Sequence, residues 1–181
     1  QGQYYRLDSD NPGEYFLFEC RSLSGWDRYI GGCGMLAYHV DRSMNDAGFS
    51  ALYNQNVTAA DRWGSGNQVN AFAAHQCADL IEADGRMDVY SSPYDQTYQN
   101  YAQSIQGIFF PHSRANSLTP LSYPGLGCWG KATVSKSIAN IAYDGNQVSF
   151  RLSRSTGDVP VPVNIKVDNY QDAAIVKFSG S

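Results

Sequence analysis

Residues 13–42, GEYFLFECRSLSGWDRYIGGCGMLAYHVDR, constrain the fold more than any other stretch. Two apolar runs, 13–21 and 34–41, are rich in aromatic and β-branched residues, which suit a pleated, half-buried surface. Gly, Ser and Asp punctuate the connection between them, so the pattern predicts a long antiparallel hairpin and not a helix. Alternation puts Phe16, Phe18 and Cys20 on one face of the first strand and Tyr15, Leu17, Glu19 and Arg21 on the other. On the second strand it separates Leu36, Tyr38 and Val40 from Met35, Ala37, His39 and Asp41. If the runs pair, Glu19, Arg21, His39 and Asp41 are expected to form one polar cluster. Three chemistries fit such a cluster. One is a buried ion-paired network that fixes strand register, held because removing one partner leaves an uncompensated charge. The second is a metal site using His39 and Asp41. The third is acid–base catalysis by His39 with a carboxylate. With neither a nucleophile motif nor a complete ligand set beside it, the structural network is favoured.

The rest of the chain is read around this hairpin. Residues 3–8 predict a short strand, and Asn11-Pro12-Gly13 a turn into the first central strand. Residues 42–66 lack a sustained period and read as an irregular excursion with at most a short helical turn, anchored by Trp63. Asp41, Asn45, Asp46 and Asp61 lack the spacing of a calcium loop and read as solvated loop acids. A strand is expected at 77–83 after a brief turn or helix, ending at Asp84-Gly85. The best helix signal is 91–106: Ser92 as N-cap, Pro93 at the first position, Asp95 in the first turn, and a Tyr94, Tyr98, Tyr101, Ile105 stripe. Three prolines make 108–130 a long surface loop pinned by Phe109, Phe110 and Trp129. Residues 131–153 predict a hairpin turning at Asp144-Gly145-Asn146, with Ile138, Ile141, Val148, Phe150 and Leu152 in the core.

Composition agrees with a loop-rich β protein: 181 residues carry 17% charged and 13% aromatic side chains, with 13 tyrosines and 17 glycines. The net charge of −4 offers no basic patch to displace counterions from phosphates, so nucleic acid is not an expected partner. No apolar run approaches the length of a membrane span. The four cysteines, Cys20, Cys33, Cys77 and Cys128, contain no CxxC pair. Cys20 and Cys33 flank the hairpin connection, and a disulfide between them and a pair of small buried apolar residues are equally good readings. There is no GxSxG, Walker or GxGxxG motif.

Several segments in order resemble a known family. EYFLFECR, GWD and GGCGMLAYHVD, then Trp63 with Asn67 and Asn70, LIEADG at 80–85 and GIFFP at 107–111, resemble the part that follows the catalytic core in secreted zinc metalloproteases of the immune inhibitor A type. The resemblance covers about residues 3–152. The histidine that follows Pro111 departs from the family's usual glycine. The catalytic HExxH motif is not in this chain, whose three histidines are His39, His75 and His112. The resemblance therefore implies a segment inactive by itself, without a cofactor of its own. It also implies zinc in an upstream catalytic domain of the same precursor, a protein substrate, and a secreted or cell-surface location. A start at Gln1, inside a strand-like pattern, is expected of an excised or processed fragment.

The expected architecture is mainly β, an antiparallel sheet or sandwich with one docked helix and long loops. Three parts are expected: a β-rich domain over 1–153, a Val-Pro linker at 154–162, and two strands of a truncated immunoglobulin- or fibronectin III-like module at 163–181. Two strands alone are not stable in water, so they either pack back on the main body or mark a truncation. The alternative to a peptidase segment is an extracellular binding module that presents tyrosines and tryptophans to carbohydrate or protein.

Overall fold

A computed structural model of the chain describes residues 4–64, 67–85, 105–113 and 115–154, and residues 161–170 and 173–177 through their backbone. The protein is mainly β, with antiparallel pairing throughout its sheets. The expected 13–42 hairpin is the centre of the first sheet. Its strands are β2 (Glu14–Arg21) and β3 (Gly34–Asp41), preceded by β1 (Tyr5–Asp8). With β6 (Ala78–Leu80) they run in the order β1-β2-β3-β6. The connection between β2 and β3 holds a 3-10 turn, Gly25–Tyr29. A second sheet packs against the first. It contains β7 (Lys136–Tyr143), β8 (Gln147–Arg154), β9 (Val161–Tyr170) and β10 (Ala173–Lys177), in the order β10-β9-β8-β7.

The core between these sheets follows from alternation. Every second residue of β2 from Glu14 to Cys20 is buried and the residues between are half-buried. Phe16, Phe18, Cys20, Met35 and Ala37 meet Ile138, Ile141, Val148 and Phe150 from the second sheet. Phe150 stands edge-on to Tyr5 at 5.6 Å and tilted against Phe18 at 6.3 Å, the geometry that aromatic quadrupoles prefer. Ile138 and Ile141 are both buried although an odd spacing puts residues on opposite faces of a regular strand. A register shift between Ala139 and Ala142, with Asn140 at φ 54°, resets the phase. An asparagine tolerates this left-handed backbone better than most residues.

β9 starts at Val161, inside the stretch expected to be a linker, and pairs with β8 from Gln147↔Lys166 to Leu152↔Val161. β10 pairs with β9 in turn. The backbone of both strands thus extends the second sheet. The expected 91–106 helix lies outside the described residues except for its end, where residues 105–107 are helical.

The 42–66 excursion is more regular than its sequence suggests. It holds a hairpin, β4 (Asp46–Ser50) with β5 (Gln55–Thr58), followed by α1 (Ala59–Gly64). A bulge between Asp46 and Phe49 breaks the alternation that would have marked β4. Thr58 and Asp61 form a capping box ahead of α1: Asp61 N–H donates to Thr58 Oγ1, and Thr58 N–H donates to Asp61 Oδ2.

The β1–β2 turn is tied to residue 133 across the sequence. Thr133 donates its N–H to Asp10 Oδ1 at 2.7 Å and its hydroxyl to Asp10 Oδ2 at 3.0 Å. These bonds, the backbone donor first, hold the Asp10 carboxyl below its ordinary 3.8. A depressed folded-state pKa contributes stability above the unfolded value, and that contribution is lost as pH falls through the folded value. Replacing Asp10 with Asn is expected to flatten the acid limb of the stability–pH curve below about pH 4, read by urea denaturation at stepped pH.

Candidate functional site

The four residues expected to cluster separate into two groups. In an antiparallel hairpin the end of the first strand meets the start of the second, so Arg21 pairs with Gly34 while Asp41 pairs with Glu14. Positions 14 and 21 are seven residues apart, roughly 23 Å at about 3.3 Å per residue. The faces differ too: His39 lies opposite Phe16 on the core side, and Glu19 lies opposite Leu36 on the other. Glu19 and Arg21 therefore join Tyr38 and Asp27 near the connection. Arg21 reaches Glu19 Oε1 at 2.8 Å and Asp27 Oδ1 at 3.0 Å, and the Tyr38 hydroxyl donates to Glu19 Oε1 at 2.6 Å. Burial opposes the Arg21 cation, but Glu19 and Asp27 outweigh it and raise its pKa. Burial and then Glu19 raise that of Tyr38.

His39 and Asp41 take other partners. At the open end of the hairpin, Glu14 and Asp41 are cross-strand neighbours, with 1% and 0% of their surface exposed. Each carboxylate faces an imidazole: His39 Nε2 lies 2.9 Å from Glu14 Oε1 and His75 Nε2 2.8 Å from Asp41 Oδ2. Trp129 lies between the two rings, stacked on His75 at 4.1 Å and on His39 at 6.0 Å, and Phe16 stacks on the other face of His39 at 4.7 Å. The carboxylates also accept from backbone and from the Asn11 side chain, whose amide donates to Glu14 Oε2 at 3.2 Å. Trp129 N–H donates to Glu14 Oε1 at 2.6 Å, and Ser43 N–H donates to Asp41 Oδ1 at 2.8 Å. The Trp63 indole donates to the Asp41 carbonyl at 2.6 Å.

Of the three chemistries open for His39 and Asp41, the geometry is that of a buried hydrogen-bonded network with different members, in which the Trp129 indole N–H is buried without a hydrogen-bond partner among the described residues. Among the described residues no group of three or more His, Cys, Asp or Glu has metal-binding geometry. The network joins β2, β3, the 67–77 turns and the 108–130 loop, whose tertiary convergence the sequence does not announce. One signal was present. Glu14 shares the parity of Phe16, Phe18 and Cys20, and an acid on a core face requires a buried partner.

His39 also borders a cleft of about 260 Å³, below the usual range of about 300–1,000 Å³ for small-molecule pockets. Asp79, Leu80, Ile81 and Glu82 form one wall, and Pro120 to Gly127 the other. The Tyr123 hydroxyl donates to the Gly85 carbonyl at 2.8 Å and links the walls. A histidine oriented by a carboxylate is half of an acid–base site, but among the described residues no nucleophilic side chain hydrogen-bonds to His39. No family model, curated protein or solved structure matches the chain.

All four cysteines are free thiols, so the candidate Cys20–Cys33 disulfide is not formed. The hairpin register places Met35 opposite Cys20. Cys33 lies before the start of β3 at Gly34, outside the paired register. Burial pushes the thiols of Cys20 and Cys128 up to about 12 and that of Cys77 up to about 11. Since the thiolate is the reactive form, iodoacetamide at pH 8 is expected to alkylate these three more than about tenfold slower in native than in unfolded protein. Peptide mapping over a time course checks this. Fast native labelling of Cys20 would remove it from the core.

Proposed function

We propose that this chain is the non-catalytic C-terminal portion of a secreted or surface metallopeptidase resembling immune inhibitor A, which buttresses the zinc-bearing domain and shapes substrate access. The observation that supports the reading is where the residues of the resemblance lie. Although spread over 14–111, they converge around β3. EYFLFECR is β2 and GMLAYHVD is β3. LIEADG begins on β6, whose Asp79 pairs with His39. Phe110 of GIFFP exchanges two backbone hydrogen bonds with Met35. Trp63 holds the Asp41 carbonyl, and the Asn70 amide makes two bonds to Ala78 at the start of β6. A set of motifs that builds one buttress has a structural role in its family, and the zinc chemistry belongs to the upstream domain. The test is the intact mass, zinc content and caseinolytic activity of the natural gene product. A longer, zinc-loaded, proteolytic parent is expected. A parent of this length, metal-free and inactive, would overturn the peptidase reading.

A stand-alone binding module is the second reading. It is favoured by Trp26 and Tyr29, 71% and 72% exposed, three residues apart on the 3-10 turn, a spacing that aligns side chains. Glycan-array or protein-capture signal lost in Trp26→Ala, from an inactive parent, would favour this alternative.

A further inference from the structure

We propose that the exposed platform on the β2–β3 connection, Leu23, Trp26 and Tyr29, is the surface by which this chain docks on the catalytic domain that precedes it in the precursor. The docking rests on the peptidase reading, and it assigns to that reading the two aromatics that otherwise favour a free-standing module. Leu23, Trp26 and Tyr29 are 55%, 71% and 72% exposed, yet the backbone that carries them is fixed. Arg21, at the end of β2, bonds Asp27 at 3.0 Å and Glu19 at 2.8 Å, and the Tyr38 hydroxyl closes on Glu19 from β3. Within the connection, Asp27 N–H donates to the Ser24 carbonyl, Ile30 N–H donates to the Asp27 carbonyl, and the Ser22 and Ser24 hydroxyls lie 2.7 Å apart. The Cys33 backbone exchanges two hydrogen bonds with the Gln106 side chain. A backbone already ordered loses little further entropy on association, and large apolar side chains on such a backbone are the usual anchors of an interface.

Location and size select the occupant. β1 pairs with β2 from Tyr5↔Phe18 to Asp8↔Tyr15, so the chain enters the sheet at the end where the 22–33 connection leaves it. A domain joined ahead of β1 is therefore tethered beside the platform. An aromatic side chain buries about 150–250 Å² in full, so the three residues at these exposures offer roughly 400 Å². That is about half of the roughly 800 Å² per partner of a stable interface between free proteins. It fits an inter-domain contact, which totals about 600–1,500 Å² over both sides. A short tether supplies an effective concentration of about millimolar, which compensates for the small area. Neither a free partner nor a second copy of the chain has that advantage. Arg28, exposed and over the Tyr29 ring at 4.7 Å, puts a cation at the rim, so the facing surface is expected to be apolar with an acidic edge. Trp26 has a further interaction within this chain, and Tyr29 is therefore the residue on which the contact is read.

The test is hydroxyl-radical footprinting of the natural gene product, native and in urea, with oxidation rates read residue by residue by peptide mapping. Tyr123 is the internal reference, because its 76% exposure matches that of Tyr29. The ratio of unfolded to native rate is expected to be at least about fivefold larger for Tyr29 than for Tyr123, the mark of a side chain in the dry centre of a contact. The double change Leu23→Ser with Tyr29→Ser removes two anchors and leaves the Arg21–Asp27 bridge in place. In that natural product Trp26 is expected to be oxidised at least about threefold faster than in the unsubstituted one. A natural product no longer than this chain overturns the peptidase reading and the docking together. A longer, zinc-loaded product in which Tyr29 is protected within about twofold of Tyr123, or in which Trp26 is indifferent to the double change, overturns the docking alone. Protection of Tyr29 that disappears on about hundredfold dilution, which a tethered contact withstands, belongs to a second copy and also overturns it.

Discussion

Replacing Glu14 with Ala is expected to lower the unfolding free energy by about 2–6 kcal/mol, because it removes the acceptor of two buried partners at about 1–3 kcal/mol each. Total stabilities of single domains are about 5–15 kcal/mol, so this one change removes a large share. The cause is the number of groups that depend on one carboxylate. Trp129 N–H and His39 Nε2 both bond to Oε1, and the Asn11 amide donates to Oε2 at 3.2 Å. Truncation strands a backbone donor and a ring nitrogen away from water, each costing about 1–3 kcal/mol. It also frees the 108–130 loop from β2, since the Trp129 bond spans 115 residues of sequence. Glu14→Gln keeps an acceptor for Trp129 and is expected to cost less. The double change Glu14→Leu with His39→Phe removes both members of the pair and preserves the ring stacked between Phe16 and Trp129. It is expected to be less damaging than the sum of the two single changes. Urea denaturation of the set measures these differences, and a loss below about 1 kcal/mol for Glu14→Ala would mean that Glu14 is not an organising group.

Arg62→Met is expected to cost a similar amount, about 3–4 kcal/mol, on the basis of about 1.5–3 kcal/mol for each hydrogen bond from a charged donor, reduced where the acceptor is solvent-accessible. Arg62 is 1% exposed, which is rare for an arginine. Its guanidinium donates to three consecutive carbonyls of β4: Nε to Ala47 at 2.9 Å, and Nη2 to Gly48 at 3.1 Å and Phe49 at 3.0 Å. These acceptors lie at the bulge, where pairing with β5 is interrupted, so the planar fork supplies donors that the ladder cannot. The cation also lies over the Phe72 ring at 5.7 Å, and Gly48, at φ 81°, leaves no room for a Cβ against that same ring. Arg62→Lys keeps the charge but has a single terminal nitrogen in place of a fork. It is expected to recover less than half of the loss, with α1 and the β4–β5 hairpin losing hydrogen-exchange protection first. Full recovery by lysine would show that charge, and not the fork, holds the bulge.

The mainly β class, the central hairpin and the 131–153 hairpin were legible in the sequence. Period-two alternation and Gly or Asp-Gly turns are local signals that depend on residues a few positions apart, and the faces they assign to Phe16, Phe18, Val148 and Phe150 are the buried ones. Two things were hidden by local irregularity. The β4–β5 hairpin lacks alternation because of its bulge, and Ile138 and Ile141 share the core only because Asn140 resets the strand phase. The sequence by itself determined which positions of β2 face inward, including an acid, Glu14, that had to find a buried partner. Only the tertiary structure decided who that partner is. Antiparallel pairing sends Glu19 and Arg21 to one end of the hairpin and His39 and Asp41 to the other, and residues 75 and 129 arrive from loops with no period of their own. A buried charge is satisfied by what lies within about 3 Å in space, and distance along the chain carries almost no information about that.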